Sequence, residues 1–266
     1  MLLAVDVGNT STVLGLFDGE RLVADWRIST DRRRMADQYA VLLRELFALD
    51  GLDPPGRAIV SSVAPPADRE LARALADRFG VRARTVGAEL VAPLLSVETE
   101  RPTEVGADRL VNAVAATRTE GDAWIVVDFG TAANFDLILA PNRLMGVALA
   151  PGPMIAAEAL FERAAKLPRV DLVAPERAVG RTTVDALRSG LVFGYAEMVD
   201  GMVGRIEREA REEIGPDATV RVIATGGFAE VVMPHARRID AVDPLLTLTG
   251  LRIVADAVHA DARGGR

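Results

Sequence analysis

Leu2-Leu3-Ala4-Val5-Asp6-Val7-Gly8-Asn9-Thr10 near the N-terminus and Ile125-Val126-Val127-Asp128-Phe129-Gly130-Thr131 in mid-chain are one phrase written twice. In each copy an apolar run ends in an acidic, glycine-containing turn that closes on Thr. A second apolar run follows, Val13 to Phe17 in the first copy and Phe135 to Leu139 in the second. Short apolar runs bounded by turn residues predict strands, so each copy reads as a β-hairpin. An internal repeat of this kind predicts two related half-folds facing each other.

Such a turn has a definite chemistry. Glycine admits positive φ and close backbone approach, successive amides form an anion-binding nest, and Asn9 and Thr10 add donors, so phosphate oxygens fit. A carboxylate on the same turn repels a bare phosphate. Asp6 therefore implies a cation between them, and Mg²⁺ is the ion that combines one or two carboxylates with substrate phosphates and water. The pair of turns reads as a nucleotide clamp; the plainer alternative is that Asp and Gly only satisfy hairpin geometry.

Composition narrows the classes. A chain of 266 residues holds one large domain or two ordinary ones. Half of its residues are apolar, yet no run reaches the roughly 18 uninterrupted apolar residues of a membrane span. Asp6 interrupts the first apolar run, so no secretory signal is expected and the cytoplasm is the expected compartment. The net charge of −7 argues against broad nucleic-acid binding. Arg32-Arg33-Arg34, flanked by Asp31 and Asp37, reads as a solvated cluster. Absence of cysteine excludes disulfides, thiolate metal sites and thiol catalysis. Lys166 is the sole lysine and sits in Ala165-Lys166-Leu167-Pro168, so any use of ATP proceeds without a Walker A loop. His235 and His259, the only histidines, read as surface residues.

Along the chain, Arg21 to Ile28 predicts a third antiparallel strand after Asp18-Gly19, and Gln38 to Leu49 and Asp68 to Phe79 predict helices around a short strand at Ala58 to Val63. Arg84 to Val86 reads as a strand, Val91 to Val105 as irregular, and Gly106 to Ala116 as a helix with Asp108 and Arg109 in its first turn. A second cycle starts at Trp124, with helices over Thr183 to Glu212, a buried strand at Val220 to Ala224 running into Thr225-Gly226-Gly227, and a terminal helix at Leu251 to Val258. The expected architecture is α/β, with mixed sheets in two lobes, residues 1–117 and 118–266.

Two acidic glycine turns and a late strand ending in Ala224-Thr225-Gly226-Gly227 resemble the superfamily of sugar kinases, acetate kinase, actin and the heat-shock ATPases, which implies two ribonuclease H-like lobes of the actin-like ATPase kind. Within it, Asp6 to Thr12, Ser61-Ser62-Val63, Glu104 to Arg109, Asp128 to Ala132, Ala150-Pro151-Gly152, Lys166-Leu167-Pro168, Gly180 to Val184, Gly190 with Gly194-Tyr195, Asp200-Gly201 and Leu246 to Leu251 occur in the order and at the spacing of type III pantothenate kinases. That resemblance covers nearly the whole chain. It implies ATP-dependent phosphorylation of pantothenate, the first step of coenzyme A synthesis. In the family pattern Asp6, Val7, Gly8, Asn9, Thr10, Ser11, Thr12 and Val13 cradle ATP, Asp6 helps hold Mg²⁺ through its water shell, and Thr131 is a phosphate-side donor. Asp108 is the base, and Gly106, Ala107, Arg109, Thr99 and Thr183 contact the substrate, Arg109 being suited to the pantothenate carboxylate. Asp128 binds a monovalent cation, K⁺ or NH₄⁺. Thr183 reaches across an interface to a neighbouring subunit, which implies a homodimer.

Several positions depart from the family pattern. Ala133 and Asn134 replace two threonines, Val147 replaces the second of two glycines, Ala164 replaces a threonine, and Thr99 stands where an aromatic residue is usual. These departures motivate two alternatives, a non-catalytic regulatory member of the family and a kinase for another small hydroxy acid.

Overall fold

The computed structural model describes residues 1–164 and 167–264; the Lys166 motif thus lies outside the described residues at its first position. Contacts divide the chain into two units, Met1–Ala115 with Leu246–Arg266, and Ala116–Leu245.

In the first unit, β1 (Leu2–Val7), β2 (Ser11–Asp18) and β3 (Arg21–Ser29) form an antiparallel meander. The chain then runs through α1 (Ala36–Leu49), β4 (Arg57–Ser62), α2 (Pro65–Phe79) and β5 (Ala83–Thr85), and the sheet order is β3-β2-β1-β4-β5 with β4 and β5 parallel to β1. Short elements α3 (Ala88–Val91) and β6 (Ser96–Val97) precede α4 (Ala107–Ala116). Side chains alternate across a strand. Leu3, Val5 and Val7 therefore share one face of β1 and pack with Leu43 and Phe47 of α1 and Leu71 and Leu75 of α2. Leu2, Ala4 and Asp6 share the other face. Burial on both sides explains why β1 reads as an almost continuous apolar run.

The second unit repeats the meander with β7 (Ala123–Phe129), β8 (Ala132–Leu139) and β9 (Arg143–Pro151). After α5 (Pro153–Arg163) and the 32-residue α6 (Thr183–Ile214) come β10 (Val220–Thr225), α7 (Ala229–Val232) and β11 (Ala241–Val242), with strand order β11-β10-β7-β8-β9. Ile125, Val127 and Phe129 of β7 meet Phe135 of β8 and Leu191, Tyr195, Val199 and Val203 of α6 in one core. No helix among the described residues is long and apolar enough to cross a membrane.

The last helix, α8 (Leu246–Gly264), differs from expectation. A second lobe running from 118 to 266 would contain it, but it belongs to the first unit. It lies on β1, β2 and β4 with Leu248, Leu251 and Val254 buried. Two glycines make the approach close. A Cβ at Gly15 would stand 2.8 Å from Leu248 Cδ1, and one at Gly250 would run into the Val111 carbonyl of α4. Thr247 and Asn112 join the same two helices by a 2.8 Å side-chain hydrogen bond. The helix α5 was not expected from the sequence; Pro153 at its first position suits a helix start.

Candidate active site

In the first unit the Asp6 turn is built by strand register. Asp6 pairs with Val13 on β2 and Ser61 on β4, and Val13 pairs with Arg27 on β3. Directly opposed residues present side chains on one face, so Ser61, Asp6, Val13 and Arg27 form a row. At the turn, Gly8 donates its amide to the Ser11 carbonyl at 3.0 Å, and a Cβ on Gly8 would stand 2.9 Å from that oxygen. A side chain there would push the turn open. Asn9 and Thr10 are exposed. They are held from behind by Arg32, which donates to Asn9 Oδ1 at 2.9 Å, and by the Thr30 amide, which donates to the Thr10 carbonyl at 2.9 Å. The buried Thr12 hydroxyl pairs with that of Thr30 at 2.8 Å. The side chain of Val7 lies in the core, so only its backbone faces the turn.

Asp108 stands in the first turn of α4. Its Oδ1 accepts the Arg109 amide at 2.8 Å, and a Cβ on Gly106 would come within 2.5 Å of the same oxygen. Glycine at 106 is thus what leaves room for the carboxylate, while Oδ2 has no hydrogen-bond partner among the described residues. Ala107 is buried; Asp108 and Arg109 are half-buried. Burial first, and then the nearby charge of Asp108, push the Asp6 carboxyl up to about 7; Ser61 and Arg27 oppose both. The Ser61 hydroxyl is close enough to act on Asp6 but makes no well-formed hydrogen bond. The structure therefore joins two carboxylates that are 102 positions apart in sequence. Ser61 and Arg27 were missed as site residues, although the alternation of β3 carries the signal for Arg27.

In the second unit, Thr225, Asp128 and Asn134 form a matching row across β10, β7 and β8. Gly226, at φ 88°, belongs to the left-handed region that favours glycine. A Cβ there would stand 2.6 Å from the Phe129 carbonyl and 2.7 Å from Asp128 Oδ1. Gly152 donates its amide to the Thr131 carbonyl at 3.0 Å, and a Cβ at 152 would collide with the carbonyl of Gly130. Three loops thus meet at Asp128, Thr131, Gly152 and Gly226. The Asn134 side-chain oxygen is buried and accepts no hydrogen bond. Ala133 is fully buried in the core on the other face of β8, so alanine in place of threonine there removes no donor from the turn. Val147 is exposed and lies opposite Asp136, and Ala164 caps the end of α5. The Thr99 hydroxyl is buried without a partner. Thr183 is exposed in the first turn of α6, one residue after the Thr182 cap, and no described hydrogen bond ties it to either cluster.

Comparison with known proteins bears on this geometry. The family model described as type III pantothenate kinase matches residues 2–205. The chain belongs to that family. It is 55% identical to the type III pantothenate kinase of Thermus thermophilus over 94% of this chain and 97% of the relative. It is 46% identical to that of Geobacter sulfurreducens over 96% and 98%. Among solved structures, a candidate 2-dehydro-3-deoxygalactonokinase from Sinorhizobium meliloti superimposes with a TM-score of 0.60 at 16% identity, covering 97% of each chain. That likeness concerns the fold alone, an α/β fold with mixed sheets flanked by helices.

Proposed function

We propose that this chain transfers the γ-phosphoryl group of ATP to the primary hydroxyl of pantothenate, the entry step of coenzyme A biosynthesis, in the cytoplasm. The observation that carries the reading is the pairing of Asp6 with Asp108 in a type III pantothenate kinase chain. Phosphoryl transfer depends on positioning and charge compensation more than on covalent chemistry. Asp108 accepts the hydroxyl proton on Oδ2 as the oxygen–phosphorus bond forms, its other oxygen being held by the Arg109 amide. General-base assistance of this kind contributes on the order of 10²–10⁴-fold. Arg109 holds the substrate carboxylate, with Gly106, Ala107 and Thr99 beside it. The Gly8 turn, from Asp6 to Val13, cradles phosphates, and Thr131 is a phosphate-side donor.

The residues fit a divalent cation. Burial and Asp108 disfavour an uncompensated charge on Asp6, which a cation held by one carboxylate, water and substrate phosphates would compensate, as Mg²⁺ does. When bound, Mg²⁺ supplies the positive charge that neutralises the phosphates. Asp128, with the unsatisfied Asn134 oxygen on the same face of the sheet, offers oxygen donors suited to K⁺ or NH₄⁺. A homodimer is supported by Gly190, Gly194 and Gly201 on α6, each with open space where a Cβ would stand, and by exposed Met154, Ile155 and Leu160 on α5. Thr183 is the residue that would serve the neighbouring subunit. The burial of Ala133 removes one motive for the non-catalytic alternative.

The test is an ATP-dependent phosphorylation assay with pantothenate and Mg²⁺ in K⁺ and again in Na⁺, repeated with Asp108→Asn. The expected result is product in K⁺, little in Na⁺, and a kcat at least 10²-fold lower for the variant with ATP binding retained. Folded wild-type protein that forms no product, or a variant of wild-type rate, overturns the reading.

A further inference from the structure

A second basic site lies in the first unit, away from both carboxylates. A cavity of about 210 Å³ opens where the N-terminal ends of β1, β4 and β5 meet α8, and its wall carries Arg57, Arg82, Arg84 and His259. The Asp6 turn caps the other end of β1. Five residue steps at about 3.3 Å per step separate the two ends, on the order of 16 Å.

The positive charge here is under-compensated. Arg57 Nη2 donates to Asp256 Oδ1 at 3.1 Å, but Asp256 is shared with Arg252, whose Nη1 lies 3.1 Å from Oδ2. No described carboxylate pairs with Arg82 or Arg84. Moreover, Arg57 Nη1 is buried and has no hydrogen-bond partner. A buried N–H left unmade costs more than a typical hydrogen bond returns, and a native protein rarely leaves one without a reason. Guanidinium groups bind oxyanions with fixed, forked geometry. Three of them with an imidazole provide more charge than one carboxylate needs and match a phosphate. Ile59 and Val258 add an apolar wall. A cavity of this size has room for a phosphate and a few carbons.

We infer that this cavity is an anion site for a small phosphorylated metabolite, separate from the catalytic carboxylates. Arg57 Nη1 donates to the bound oxyanion, Arg82 and Arg84 close over it from the exposed edge, and His259 contacts it from α8. The reading does not depend on which reaction the carboxylates perform.

Inorganic phosphate is the probe. It is titrated into the full chain at constant pH while the two imidazoles, His259 and His235, are followed by NMR and affinity is measured by calorimetry. His235 packs edge-on against Phe193 in the other unit and serves as the internal control. The expected result is saturable binding, a shift of His259 but not of His235, and at least a tenfold loss of affinity in the double variant Arg82→Ala/Arg84→Ala. Arg57→Lys, which keeps a positive charge while losing the buried donor, is expected to weaken binding too. Absence of saturable binding, an unmoved His259 signal, or a loss below tenfold in a double variant with a wild-type circular dichroism spectrum overturns the inference.

Discussion

Asp6 is an ionisable group that the fold holds at a disadvantage. Its carboxyl lies near 7 in the folded chain against an ordinary value of 3.8. Well below pH 3.8 it is protonated in both states and costs nothing. As pH rises toward 7 the unfolded chain ionises first, and the fold loses stability until the folded group ionises as well. A shift of this size corresponds to roughly 4 kcal/mol as an upper bound. Asp6→Asn is therefore expected to approach wild type as pH falls well below 3.8 and to exceed it at pH 8 in Mg²⁺-free buffer, as read from urea melts; equal stability at pH 8 would remove the strained carboxylate. That Asp6 matters was legible from the repeated phrase. Its partnership with Ser61 and Arg27 was not, because a row across four strands depends on register, and register joins residues far apart in sequence.

Elements were easier to find than their partners. The apolar spacing marked α1, α2 and α6, and the alternation marked the three-stranded meander of the first unit. The terminal helix was seen only from Leu251, because its first turn, Leu246-Thr247-Leu248-Thr249-Gly250, carries threonines and a glycine that weaken a helical reading. That glycine serves contact with a neighbour. Gly250→Ala would drive a methyl group into the Val111 carbonyl, and overpacking against backbone costs about 1–3 kcal/mol or more. A thermal melt should show the variant clearly destabilised; an unchanged or higher Tm would mean that α4 and α8 are not in close contact. An apolar stripe says that a helix is buried, but the sheet that buries it cannot be read from the stripe.

At the scale of the molecule, the repeat was legible and the partition was not. Both meanders were expected, yet α8 belongs to the first unit. Removing residues 246–266 should strip the cover from the Leu2, Ala4 and Asp6 face of β1. Hydrogen exchange is expected to show fast exchange through β1, β2 and β4 and persistent protection in β7, β10 and α6; protection of β1 at the wild-type level would contradict the partition.

The second unit is thus an insertion between two stretches of the first, and this has a consequence for biosynthesis. On the ribosome, residues 116–245 emerge as an uninterrupted stretch that can mature while the first unit still lacks its final helix. The strands bearing Asp6 and the helix bearing Asp108 must wait, partly uncovered, until the 130 residues of the second unit have been made. A nascent chain stalled before that segment would carry every residue of the proposed catalytic pair and still present an exposed apolar face, the kind of surface that chaperones engage.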